Sequence, residues 1–243
     1  MMGAPSQSLS LEPTLTELQI EAGAANGTML ANVGPDPLGT SKSDADLGTS
    51  DNASNLRFSH VYMVAGTGEL GFKGDGGLAT RAHLWFADAV AVDREGNIVI
   101  ADSFNNRVRR VDARNGKIGT VAGTGKPGFF GDGDLATEAQ LNSPSGVAVD
   151  HQGNIFIADT FNNRVRVVDA RTGIISTFAG TGEQGSSGDN GLAVRAELAG
   201  PSGLAVDAKG NLLIADSGNH RIRELDREKH VIVTVAGTGV AGN

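Results

Sequence analysis

The chain has 243 residues, a formal net charge of −8 and no cysteine, so it is long enough to bury a substantial core, while disulfides, thiolate metal sites and cysteine nucleophiles are excluded. Residues 1–60 hold two basic side chains (Lys42, Arg57) against seven acidic ones, a net of −5 that leaves the rest near −3; this near balance argues against nucleic acid as a partner, because phosphate neutralisation needs a basic excess. The opening stretch has no basic segment leading into an apolar one, and no run of eighteen apolar residues occurs, so no membrane partner is expected and the compartment is left open.

Residues 1–56 lack the periodicity of the remaining chain, and from Gly34 to Asn55 they are mostly Gly, Pro, Ser, Thr, Asp and Asn. They read as a largely disordered arm. From residue 57 onward the chain is periodic. Val-Ala-Gly-Thr-Gly occurs at Val64–Gly68 and Val121–Gly125, returns as Phe178–Gly182 with Phe in first place, and recurs at Val235–Gly239, in steps of 57 residues. A fixed period of that length implies one supersecondary unit repeated. The 35 glycines, about twice ordinary usage, imply many tight turns between short strands.

Phe58 to Ala65 reads as an extra strand ahead of the first unit. In the second copy, Gly146–Asp150 is an apolar run suited to a buried inner strand, and His151–Asn154 supplies a hairpin turn. Ile155–Asp159, Arg164–Asp169 and Ile174–Ala179 come next as three further strands, giving four antiparallel strands per unit. Copies fall at about 66–122, 123–179 and 180–239. Between them run the connectors Gly71–Leu84, Gly128–Leu141 and Gly185–Leu198. The second half of each is expected to form one helical turn whose Ala79, Ala82 and Leu84, and their counterparts, cover the sheet edges.

Four-stranded units repeated every 40 to 60 residues are the pattern of an all-β β-propeller built from antiparallel blades. The strings Gly146–Asp150, Gly153–Asp159 and Asn162-Asn163-Arg164-Val165 resemble the NHL repeat. The connector with Gly-Asp-Gly-Gly and Ala-Thr resembles that of teneurin-like and bacterial NHL repeat-containing propellers. The resemblance covers residues 58–243 and implies three full blades plus one strand, a partial or open propeller. Relatives usually close with more blades, six being common. Three arrangements are open, in this order: a fragment of a longer array, a homodimer of half-propellers completing six blades, or an open arc.

Repetition also judges the candidate residues, because a side chain present in every copy is needed by every blade. Asp93, Asp150 and Asp207, with Asp102, Asp159 and Asp216, read as strand-end residues that bond turn amides or pair with Arg107, Arg164 and Arg221. Arg109, Arg166 and Arg223 read as structural on the same ground. Asp75, Asp132 and Asp189 read as turn caps, since each loop offers too few oxygens for calcium. The histidines His60, His83, His151, His220 and His230 share no phase, so no ring of imidazoles is expected; no metal, cofactor or catalytic residue is assigned.

What remains is the loop face. Phe72, Phe104, Asn105, Arg107, Phe129, Phe130, Phe161, Asn162, Arg164, Asn219, His220 and Arg221 are expected to share it, and aromatic and Arg side chains beside Asn are the composition of recognition patches. Among the positions that differ between copies, Trp85, Phe86 and Asp88 join them as candidates for specificity, and Trp85-Phe86 reads alternatively as a cap on an exposed blade. The reading is a non-enzymatic scaffold that binds a protein or carbohydrate-like ligand. Its alternatives are a propeller lyase or hydrolase of the lactonase or amidating-lyase type, with an active site partly in other blades, and an RNA-binding NHL module.

Overall fold

The computed structural model describes residues 19–22, 29–32 and 61–242. Within the segment read as an arm, two four-residue strands appear, β1 (Gln19–Ala22) and β2 (Met29–Asn32). They pair antiparallel with each other, and β2 pairs with β3 (Val61–Ala65). The extra strand expected at 58–65 is therefore the last strand of a three-stranded sheet, and residues 58–60 lie outside the described part.

Three antiparallel four-stranded blades come after it, each a simple meander. The first is β4 (Ala87–Val92), β5 (Ile98–Asp102), β6 (Arg107–Val111) and β7 (Ile118–Ala122). The second is β8 (Pro144–Val149), β9 (Ile155–Asp159), β10 (Arg164–Val168) and β11 (Ile175–Ala179). The third is preceded by a two-residue strand, β12 (Gly191–Leu192), and consists of β13 (Pro201–Val206), β14 (Leu212–Asp216), β15 (Arg221–Asp226) and β16 (Val231–Ala236). Among the described residues the helical content is six three-residue 3₁₀ turns. None of these is long or apolar enough to cross a membrane.

Alternation along each strand sends side chains to opposite faces of its blade. Ile98, Ile100, Val111 and Ile118 face the sheet before the first blade and pack with Ala65. Val99, Ala101 and Val108 face the second blade and pack with Ile157, Val168 and Ile175. A third cluster, with Phe156, Ile214, Leu225 and Ile232, fills the next interface. Each Val, Leu, Ile or Phe side chain so buried contributes about 1.5–3 kcal/mol, which is why strands of five residues suffice.

The connectors hold neighbouring sheets together. Each makes the expected single turn, a 3₁₀ turn at Ala79–Arg81, Ala136–Glu138 and Ala193–Arg195. Ala136, Ala139 and Leu141, all buried, insert between the first two blades beside Val108 and Ala122. Ala193, Ala196 and Leu198 do the same beside Val165 and Ala179. The middle of each connector runs along the outer strand of the blade it leads into: Gly76 N–H donates to Ile118 O at 2.8 Å and Ala79 N–H to Gly116 O at 2.8 Å, a pattern repeated by Gly133 to Ile175 and Ala136 to Gly173. This pairing covers outer edges that would otherwise invite strand addition.

Candidate functional site

At one end of the blades lie the loops joining second to third strands, and each opens with a 3₁₀ turn: Ser103–Asn105, Thr160–Asn162 and Ser217–Asn219. The residue closing each turn is left-handed, Asn106 at φ 50°, Asn163 at 49° and His220 at 53°. Asn tolerates that conformation because its short side chain finds local partners. Asn106 Oδ1 accepts the Ser143 amide at 2.9 Å, and Asn163 Oδ1 accepts the Gly200 amide at 3.0 Å, each from the following blade.

Beneath these loops every blade buries the same guanidinium. Arg109, Arg166 and Arg223 are 0% exposed. Their Nη1 atoms lie 3.3, 3.4 and 3.4 Å from the Oδ2 atoms of Asp102, Asp159 and Asp216, which are equally buried. Their Nη2 atoms reach Asp75, Asp132 and Asp189 at 2.6, 2.5 and 2.8 Å. The outer carboxylates take a further bond where Thr120 and Thr177 Oγ1 donate to Asp75 and Asp132 at 2.7 and 2.6 Å. These distances correct the sequence reading twice. The arginine partners of Asp102, Asp159 and Asp216 are Arg109, Arg166 and Arg223, not Arg107, Arg164 and Arg221; and Asp75, Asp132 and Asp189 are ion-pair partners of a buried arginine rather than turn caps.

The inner carboxylates also do what the strand-end reading expects. Asp102, Asp159 and Asp216 Oδ1 accept the amides of Trp85, Asn142 and Ala199 at 2.8, 2.7 and 2.7 Å, fixing the chain as it enters each inner strand. Asn105, Asn162 and Asn219 Nδ2 donate to those same carboxylates and to Gly71, Gly128 and Gly185 carbonyls at 2.7, 2.8 and 2.6 Å. One carboxylate thus ties together the loop, the strand entry and the connector. Burial pushes the Asp159 carboxyl up to about 6, against the opposing pull of Asn162, the Asn142 amide and Arg166. Burial raises Asp102 in the same direction, opposed by the Trp85 amide, Asn105 and Arg109.

At the other end of the blades, Asp93, Asp150 and Asp207 Oδ1 accept the amides two and four residues on, as expected of hairpin turns. Asp150 additionally receives Arg227 Nη1 of the third blade at 2.7 Å. Among the described residues no group of three His, Asp or Glu side chains comes together in a way that holds a metal.

The twelve residues proposed from sequence sit on the loops and connectors at the latched end, and the structure divides them by role. Arg107 is drawn to the Thr124 carbonyl at 2.6 Å and the Asn105 carbonyl at 3.2 Å, with its guanidinium 3.6 Å above the Phe72 ring. Arg164 repeats this with the Thr181 and Asn162 carbonyls and stands 3.7 Å above Phe129. That engagement explains the first correction: with the strand-end arginine held outward, the arginine two residues on, on the same face, takes the buried carboxylate. Arg221 Nη1 donates to the Ser186 carbonyl at 3.3 Å, where the third connector has no Phe. Burial, then the adjacent guanidinium of Arg109 or Arg166, lowers Arg107 and Arg164. Asn105, Asn162 and Asn219 are clamps.

Phe104, Phe130 and Phe161 are 46%, 61% and 68% exposed, and His220 is exposed as well. Trp85 and Phe86 join Phe104: Phe86 stacks on it at 4.8 Å and Trp85 meets it edge-on at 5.6 Å. Phe86 holds φ 60°, a strained conformation for an aromatic residue. Sequence reasoning missed the Asp75, Asp132 and Asp189 pairs. Their constant spacing of 34 residues before Arg109, Arg166 and Arg223 was the available signal.

Four-stranded antiparallel blades stacked through a repeated connector make this a repeat protein of the β-propeller class, and the described residues form an open or partial array. Residues 124–187 match the model of the teneurin NHL domain and residues 198–225 that of the NHL repeat. Residues 124–225 thus carry matches to NHL-type repeats. It is 36% identical over 137 residues to Protein SUPPRESSOR OF QUENCHING 1, chloroplastic, of Arabidopsis thaliana, covering 54% of this chain and 13% of that protein. It is 31% identical over 142 residues to human NHL repeat-containing protein 2, covering 56% and 19%. The chain thus spans under one fifth of the length of either relative. A solved structure from Bacteroides thetaiotaomicron, described as a structural genomics protein of unknown function, shares the fold with a TM-score of 0.57 at 21% identity, over 82% of this chain and 42% of that one.

Proposed function

We propose that this NHL-repeat array is a non-enzymatic recognition scaffold that binds a protein or carbohydrate-like ligand on its loop face. One observation carries the reading: Phe104, Phe130 and Phe161 stand exposed on loops and connectors that are themselves tied down by buried carboxylate, guanidinium and amide groups. Aromatic side chains on a pre-organised base contribute contact area at little ordering cost. The inner carboxylates Asp102, Asp159 and Asp216, which acid–base chemistry would need within reach of a substrate, are instead sealed beneath the loops, and the outer Asp75, Asp132 and Asp189 are paired with the buried arginines. The strand-end arginines that RNA binding would use are committed to backbone carbonyls.

The test is parallel selection on a glycan microarray and a displayed peptide library, with the purified chain and a Phe104→Ser, Phe130→Ser, Phe161→Ser variant. The expected result is binders for the parent that lose at least about tenfold in affinity on the variant, a modest figure for the removal of aromatic anchors, with the melting temperature preserved. Binders that recognise both proteins equally, or none for the parent, would contradict the reading.

A further inference from the structure

At the end of the blades opposite the loop face, a cleft of about 310 Å³ lies between the first and second blades. Its apolar wall includes Val121, Leu135, Ile155 and Val168, and Arg110 and Thr137 stand among its polar residues. The repeat supplies an internal comparison. The same six positions between the second and third blades, 57 residues on, are Phe178, Leu192, Leu212, Leu225, Val167 and Val194. There the Phe178 ring lies between Phe156, at 5.0 Å, and His230, at 6.2 Å. In the first interface these three positions are Val121, Val99 and Gly173. One backbone arrangement is thus filled by the protein's own aromatic ring in one copy and open in the other.

The open copy also gains a charge. Arg110 takes the place of Val167, is exposed, and forms no hydrogen bond or ion pair among the described residues. Its strand alternation points it to the same side as Val108, toward the second blade. The acid on the opposite wall, Asp169, is occupied by its own turn: Oδ1 accepts the Arg171 and Thr172 amides and the Thr172 hydroxyl. Those bonds hold its pKa below the ordinary value. Loss of a ring and gain of an unpaired guanidinium therefore coincide in a single cleft.

We propose that this cleft binds a small aromatic carboxylate, with its ring against Val121, Leu135, Ile155 and Val168 where the sister interface holds Phe178, and its carboxylate on Arg110. The site is separate from the loop face and does not depend on what that face binds.

The test is titration of the full chain with sodium phenylacetate, followed by amide shifts in a ¹H–¹⁵N spectrum, with benzyl alcohol as the uncharged comparison. A ligand of this size should saturate with Kd on the order of 1 mM, moving the amides of Val121, Leu135 and Gly173. Val121→Phe copies the sister interface and should weaken binding at least about tenfold by occupying the ring site. Arg110→Val, also a sister residue, should cost phenylacetate roughly fivefold to tenfold by removing a charge-assisted bond, and benzyl alcohol less than about twofold. Both changes import residues the repeat already carries, and unchanged melting shows that the blades persist. Absence of saturable shifts at about ten times the expected Kd, equal binding by Val121→Phe, or benzyl alcohol binding as tightly as phenylacetate would overturn the proposal.

Discussion

Arg166→Met is expected to lower the stability of the array by about 3–5 kcal/mol, because it strips the buried carboxylate of Asp159 and the half-buried carboxylate of Asp132 of their shared cation. The methylenes of Met fill much of the volume of the arginine stem, so the loss reads out uncompensated charge rather than a cavity. The companion change Arg164→Met should cost distinctly less. Arg164 is only partly buried, and its bonds go to the Thr181 and Asn162 carbonyls, which water can reach. Urea denaturation followed by circular dichroism measures both. Losses of similar size at the two positions would show that the buried triad is not what fixes the loops.

Leu198→Ala is expected to cost about 2–5 kcal/mol, the range for truncating a fully buried leucine in a core that relaxes only in part. Its position makes the consequence specific. Leu198 inserts with Ala193 and Ala196 between the second and third blades, beside Val165 and Ala179. In a linear array stability is the sum of unit and interface contributions, so weakening this interface should let the third blade unfold ahead of the others. The calorimetric transition should broaden or split. A uniform downward shift with unchanged width would contradict the assignment of Leu198 as the interblade plug. Ile222, at the position where Val108 and Val165 are buried, is 37% exposed, and Val235 is 47% exposed.

The 57-residue period makes the blades legible because turn residues, inner-strand runs and connectors recur in phase. The β9 strand, Ile155–Asp159, falls where the period places it, and β10 and β11 each end or begin one residue inside the expected span, where the Asp169 N–H closes the hairpin on the Ile174 carbonyl and Ile174 bridges to Leu135 of the connector. The structural role of the repeated Asp and Arg is legible from the same periodicity. Their partners are not. Asp102 and Arg107 are opposed in register, so a flat ladder pairs them, but a bulge at Val108/Arg109 and the carbonyl of Thr124 redirect the two arginines. Nor are β1 and β2, whose four-residue lengths carry no period and which are defined by pairing on to β3. The aromatic group of Trp85, Phe86 and Phe104 is visible in the sequence as residues that break the repeat; its stacking depends on the left-handed backbone at Phe86, which no sequence rule assigns to phenylalanine.

The central claim is that the loop face belongs to the cooperative blades and is pre-organised by them. Native-state amide hydrogen exchange tests it at Trp85, Asn142 and Ala199, whose N–H groups are held by Asp102, Asp159 and Asp216. These amides should open with the same free energy as strand amides such as that of Ile157, since breaking them requires breaking the blade. Protection of less than about a hundredfold at all three, with the strands remaining protected, would place the face among locally fraying loops and contradict the account.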